Sequence, residues 1–174
     1  MSKIRRASPG ILRVMLALLT MLLATAAPAK ATLPQVDKVV VVKKEQLLML
    51  LKNGEILKSY KVALGRQPVG RKSQAGDGKT PEGTYVLDYR NEQSRFYRSL
   101  HISYPNGADV ARARRNGVSP GSDIMIHGLP KGFEDLADFH TALNWTKGCI
   151  AVSNEEIDEI WHLVPNGTPI EIRP

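Results

Sequence analysis

The chain has 174 residues, with 24 Lys and Arg set against 17 Asp and Glu, 43% hydrophobic residues and one cysteine. That length suits one domain with a real core and leaves little room for a second. A lone cysteine excludes an intramolecular disulfide, so Cys149 is a buried apolar side chain, a partner in an intermolecular disulfide or a reactive thiol.

At the amino terminus Lys3, Arg5, Arg6 and Arg13 precede the uncharged run Val14 to Ala24. Small residues then supply two A-x-A sites, Ala27-Pro28-Ala29 and Ala29-Lys30-Ala31, of the kind a signal peptidase reads. The apolar run is shorter than the roughly 20 residues needed to span a bilayer core. Residues 1–31 are therefore expected to be a secretory signal peptide, cut after Ala31 or Ala29, which delivers a soluble single domain, residues 32–174, to the periplasm. Cleavage removes five basic residues and no acidic one, leaving 19 basic against 17 acidic side chains, a net charge of about +2. The high whole-chain pI is then no sign of nucleic acid binding.

Short strand signals separated by turns follow. Val39 to Val42 is β-branched, Gln46 to Leu51 is apolar, and Asn53-Gly54 is a strong two-residue hairpin signal before the arm Glu55 to Leu64. Gly65 to Gly83 reads as a long surface connection of Gly, Lys and Pro, and such loops are often functional. Further strands are expected at Thr84 to Tyr89, Leu100 to Tyr104 and Ile124 to His127, with Asn91 to Arg98 and Pro105 to Asp123 as connections. Phe133 to Asn144 is a candidate short helix or lid. A helix starts near Ser153, where Ser153 and Glu156 have capping-box spacing and Ile157, Ile160, Trp161 and Val164 share a face. Pro165 and Gly167 stop it, and Thr168 to Ile172 supplies a closing strand. The fold class is mainly β, with one or two short helices.

Chemistry concentrates in His127-Gly128 and in Thr146-Lys147-Gly148-Cys149-Ile150. A thiol is a good nucleophile only as thiolate, and its pKa falls beside a histidine or near a helix N-terminus. Cys149 has both within reach in sequence. Gly148 lets backbone approach a substrate closely, and amides in such a turn can donate to a developing oxyanion.

The segment Ile126-His127-Gly128, the Thr146-Lys147-Gly148-Cys149-Ile150 run and the following Asn154 resemble the signature of the L,D-transpeptidase (YkuD-type) catalytic domain. Upstream pieces agree: Gly78-Lys79-Thr80-Pro81-Glu82-Gly83-Thr84, Ser99 to Asn106 and Pro120 to Ile124. The resemblance runs from about residue 39 to residue 172. The family usually has a second histidine directly before the Gly-Cys pair, where this chain has Lys147, and often an Arg where it has Ala151. Both departures bear on substrate geometry and on the choice between transfer and hydrolysis.

The resemblance implies a β-sandwich-like mixed sheet and a cell-wall enzyme that needs no cofactor and acts on peptidoglycan stem peptides. Cys149 would be the nucleophile and His127 its base. The thiolate would attack the carbonyl at the L-centre of the third residue, meso-diaminopimelate, of a tetrapeptide donor and expel D-alanine. An amine from another stem, or from a wall-anchored lipoprotein, would resolve the thioester. Gly148 and the Cys149 amide would hold the oxyanion, Gly128 and Thr146 would orient the histidine or line the pocket, and Tyr104 and Lys147 are candidate substrate contacts. The alternatives are a hydrolase of the same chemistry that trims peptides or releases lipoprotein, and a noncatalytic wall-binding module.

Among the remaining histidines, His140 competes with His127 for the role of base. His101 reads as a core or rim residue, and His162 as a side chain suited to a helix C-terminus. No paired Cys or H-x-x-x-H spacing suggests a metal site, and Trp145 and Trp161 read as packing residues. Nothing marks a phosphate-binding loop, so nucleotide and nucleic acid are not expected partners.

Overall fold

A computed structural model describes residues 35–174, so the expected signal peptide and its cleavage sites lie outside the described residues. Eight strands form one mixed sheet in the order β3-β2-β1-β8-β4-β5-β6-β7. They are β1 (Lys38–Val42), β2 (Leu47–Lys52), β3 (Glu55–Lys61), β4 (Gly83–Ser94), β5 (Tyr97–Ile102), β6 (Met125–His127), β7 (Ile150–Ala151) and β8 (Thr168–Arg173). The described residues contain two α-helices, α1 (Gly107–Arg115) and α2 (Asn154–Leu163). Among the described residues no helix is long and apolar enough to cross a membrane.

Local sequence accounts for most of this. The Asn53-Gly54 hairpin joins β2 to β3, with both turn residues at positive φ as the tightest hairpin turns require. Three consecutive valines, Val39 to Val41, are buried because β1 lies inside the sheet, between antiparallel β2 and parallel β8. β8 instead alternates, turning Thr168, Ile170 and Ile172 inward. The core gathers Leu48, Leu50, Leu87, Leu100, Ile102, Ile126 and Ile150 from the sheet with Ile157 and Ile160 from α2.

The sheet curls until its ends meet. Beyond β3, Ala63 bridges antiparallel to Ala151 of β7 and Gly65 bridges parallel to Thr146, so the chain leaving one edge strand, β3, pairs at the other edge of the sheet. Backbone N–H groups that an open edge would expose are thereby used.

Two expected connections carry regular structure. Residues 91–98 form a hairpin, because β4 continues to Ser94 and β5 begins at Tyr97. Within 105–123 lies α1, whose core-facing stripe is thin: only Asp109 and Ala113 are buried. The usable signal was its cap. Asn106 accepts from the Ala108 and Asp109 amides at 3.0 and 3.1 Å, and the Asp109 carboxylate accepts from the Asn106 amide at 3.2 Å. Residues 133–144 hold only a single 3-10 turn, Glu134–Leu136, among other turns.

The expected capping box of α2 is present: Ser153 Oγ accepts from the Glu156 amide at 3.1 Å, and the Glu156 carboxylate accepts from the Ser153 amide at 2.8 Å. Replacing Ser153 with Ala should cost about 1 kcal/mol, lowering the urea midpoint without changing the slope of the transition. An unchanged midpoint would show that the cap is dispensable.

Candidate active site

Cys149 and His127 are brought together by two neighbouring strands, β7 and β6. Parallel pairing of β6 with β7 sets Ile126 beside Ile150 and His127 beside Ala151, which brings Cys149, the residue before β7, level with Met125 at the start of β6, two residues before His127 on that strand. Both side chains line one cleft of about 400 Å³, together with Phe96, Asp123, Trp145 and Thr146. Arg66, Arg95 and Lys147 complete its wall.

His127 is 2% exposed. Its Nδ1 lies 2.7 Å from the Gly128 carbonyl, which can only accept, so Nδ1 carries the proton of the neutral ring and Nε2 is left as the basic nitrogen. Phe96 stacks on the ring at 4.4 Å, and Trp145 meets it edge-on at 5.8 Å. Gly128 owes its identity to packing: a Cβ there would stand 2.6 Å from Asn154 Oδ1, which accepts from the Leu129 amide at 2.8 Å. A larger residue would push the histidine turn away from α2.

The thiol is partly buried and donates to the Asp123 carbonyl at 3.6 Å. Among the described residues no hydrogen bond joins it to the imidazole in this resting arrangement. Gly148 has φ of +131°, and a Cβ would lie 2.7 Å from the Lys79 carbonyl, so a side chain is excluded by both conformation and space. Its amide donates to Thr146 Oγ1 at 3.0 Å, and that hydroxyl donates to the Cys149 carbonyl at 2.8 Å. Thr146 thus ties the Cys149 turn together from inside, and the Gly148 amide is directed at it rather than at the cleft.

Burial dominates the electrostatics. Desolvation pulls the His127 imidazole down to about 4, outweighing the hydrogen bond to Gly128, which acts in the opposite direction. Desolvation also pushes the Cys149 thiol above its ordinary value; a Met125 backbone hydrogen bond and the Lys72 ammonium oppose this, while Asp123 adds to it. The depressed thiol pKa expected from a nearby histidine and helix is therefore not found. The histidine is neutral, and α2 starts only at Asn154, where its end is already capped by Ser153.

Lys72 is a contributor with no mark in the sequence. It sits in the 65–82 loop with its side chain 3% exposed, donating to Asp77 Oδ1 at 2.8 Å and the Gln74 carbonyl at 3.0 Å. A second buried ammonium, Lys43, holds the same loop through the Gly70 and Thr80 carbonyls and Glu82. Phe96, Arg66 and Arg95 were also missed, since they reach the site from a hairpin and a loop distant in sequence.

The other candidates lie elsewhere. Tyr104 is a core residue rather than a substrate contact: it is 3% exposed, its hydroxyl donates to the Pro120 carbonyl at 2.8 Å, and burial pushes that hydroxyl up to about 12. Lys147 is exposed on the cleft wall. His140 lines a separate apolar hollow of about 550 Å³ with Phe133, Leu136, Phe139 and Leu143. His101 pairs with Asp88 at 2.6 Å, and His162 bonds to the Asp158 carbonyl one turn back. Trp161 is packed against Arg90 and Arg98, whereas Trp145 lines both cavities. Among the described residues no group of three or more His, Cys, Asp or Glu is arranged to hold a metal ion.

Residues 37–172 match the YkuD family, the L,D-transpeptidase catalytic domain. The chain belongs to this family. It is 36% identical over 129 residues to the putative L,D-transpeptidase YafK of Escherichia coli K12, an alignment that covers 70% of this chain and 44% of that protein. Among solved structures it resembles the helical cell shape determining protein Pgp2 of Campylobacter jejuni, with a TM-score of 0.60, 24% identity and coverage of 80% of this chain and 48% of the other. An L,D-transpeptidase from Mycobacterium smegmatis aligns with a TM-score of 0.52 and 14% identity over 79% of this chain and 58% of its own. The chain therefore spans less than half the length of the curated relative, and the two structural likenesses speak for the L,D-transpeptidase domain fold alone.

The two perturbed groups predict distinct pH dependences. Alkylation of Cys149 by iodoacetamide should rise with pH through a midpoint above the ordinary thiol value of about 8.5, without a plateau at acid pH. A plateau below about pH 6 would reveal a preformed thiolate–imidazolium pair instead. Stability provides the second measurement. The folded imidazole titrates near 4 and the unfolded one near 6.5, so the unfolded chain binds the extra proton between those values. Stability should hold above pH 6.5 and fall as the pH drops toward 4. Denaturation of His127→Gln should lack that part of the slope.

Proposed function

We propose that this chain is a cysteine-dependent L,D-transpeptidase domain that acts on peptidoglycan stem peptides in the periplasm. One observation carries the reading: Cys149 and His127 share a cleft in which Nδ1 of the histidine is committed to the Gly128 carbonyl, leaving Nε2 as a base. Membership of the L,D-transpeptidase family supplies the reaction class.

In the proposed reaction the thiol turns from the Asp123 carbonyl toward His127 and gives its proton to Nε2. The thiolate attacks the carbonyl at the L-centre of the third stem residue. Charge develops on that oxygen, and the Cys149 amide donates to it, a role the Gly148 amide is less free to take because it is engaged by Thr146. Collapse breaks the bond to D-alanine, whose amine takes the proton from His127. An acceptor amine from another stem or a lipoprotein then loses a proton to His127 and attacks the thioester, restoring the thiol. Because burial disfavours both the thiolate and the imidazolium, the ion pair forms only transiently, when substrate has replaced water in the cleft.

Incubating the protein with a tetrapeptide muropeptide and, separately, with a carbapenem should produce Cys149-linked adducts in intact mass spectra, and the muropeptide should yield crosslinked dimer. Cys149→Ala should abolish both adducts. His127→Ala should slow acylation by about 10²–10⁴-fold. His140→Ala should acylate normally, as expected for a side chain in the neighbouring hollow. Trimmed peptide without dimer would establish the hydrolase, and absence of any adduct would leave a noncatalytic module.

A further inference from the structure

Three cations converge on the cleft from different parts of the chain. Arg66 follows the bridge that closes the sheet, Arg95 lies in the β4–β5 turn beside Phe96, and Lys147 sits between Thr146 and Gly148. All three are exposed. Among the described residues the only acidic one on the same wall is Asp123, whose carboxylate accepts from Ser122 Oγ at 2.7 Å. Elsewhere among the described residues eight of the sixteen other Lys and Arg have acidic partners, Lys38 with Glu171 and Lys58 with Glu159 among them, so the cleft is marked by the gathering of three cations in one place rather than by the lack of a partner alone. At the cleft none of the three has one among the described residues. Arg66 is also partly ordered, since its Nε donates to the Trp145 carbonyl at 3.2 Å and leaves the two terminal nitrogens for another acceptor.

Three exposed cations gathered on a cleft of about 400 Å³ make its potential positive and raise the local concentration of anions, which favours a ligand that carries negative charge. A guanidinium with its terminal nitrogens free matches a planar carboxylate. We propose that Arg66, Arg95 and Lys147 form a carboxylate-recognition rim that draws acidic substrates to Cys149 and discriminates against their amidated forms. The inference deepens the transpeptidase reading and rests on it for the identity of the substrate. The rim itself can be tested without that reading.

Cys149 is alkylated by both iodoacetate, an anion, and iodoacetamide, its neutral amide. The ratio of the two rates cancels the ionisation of the thiol, which both reagents require. In the full chain the ratio should drop about tenfold when Arg66, Arg95 and Lys147 are all changed to Gln, and each single change should contribute part of that drop. Raising salt should move the wild-type ratio toward that of the triple variant, because the Debye length is about 10 Å at 0.1 M and about 3 Å at 1 M. Should the triple variant lose iodoacetamide reactivity as well, the three single variants carry the test. A ratio unchanged in the reactive variants overturns the proposal. Tetrapeptide donors with free or amidated carboxylates form the second arm: wild type should acylate faster with the free acid, and the variants should narrow that preference. A rim seen with the alkylating pair, together with no acylation by either donor, would keep the anion site and reject the transpeptidase.

Discussion

The closure of the curled sheet is the constraint on which the site depends. Ala63 and Ala151 exchange backbone hydrogen bonds at 2.9 and 2.8 Å, while Thr146 donates to Leu64 at 3.1 Å and accepts from Arg66 at 3.0 Å. Cys149 lies between these two attachment points. Its backbone is therefore clamped on both sides by a segment more than 80 residues earlier in the chain, and Asn144 adds a side-chain tie by accepting from the Leu64 amide at 2.8 Å. The Cys149 turn can be tight and glycine-dependent because its flanks cannot drift.

Closure also explains the unusual polarity of the 65–82 loop. A loop packed against the Cys149 turn buries backbone carbonyls, and these must find donors. Lys43 and Lys72 supply them, each with an acidic partner that offsets the cost of burying an ammonium. The same loop delivers the Lys79 carbonyl against Gly148 and the Thr80 hydroxyl to the Gly65 amide at 3.0 Å. What reads in sequence as a Gly- and Lys-rich surface connection is a cross-linked support packed against Gly148, behind the Cys149 turn.

Two environments meet at Trp145. On one side lies the cleft with its cations and the Cys149–His127 pair; on the other lies the apolar hollow beneath the 133–144 turns. The indole donates to the His140 carbonyl at 3.1 Å and so fixes the partition between them. The division separates the two histidines that sequence alone left in competition: one is stacked under Phe96 beside the thiol, the other faces aliphatic and aromatic side chains.

By itself the sequence determined those features whose causes lie among neighbouring residues. The Asn53-Gly54 turn, the buried valines of β1, the alternation of β8 and the Ser153 cap are all local patterns, and the ordered His127 and Cys149 motifs carried the family resemblance. The thin stripe of α1 hid a helix because Asp109 and Ala113 are too few to set a period. Only the tertiary structure decided the rest. Tyr104 went to the core, Arg66, Arg95 and Phe96 came to the cleft, and the thiol and imidazole were left neutral. Convergence and desolvation depend on which distant segments the closed sheet packs together, and no short stretch of sequence encodes that.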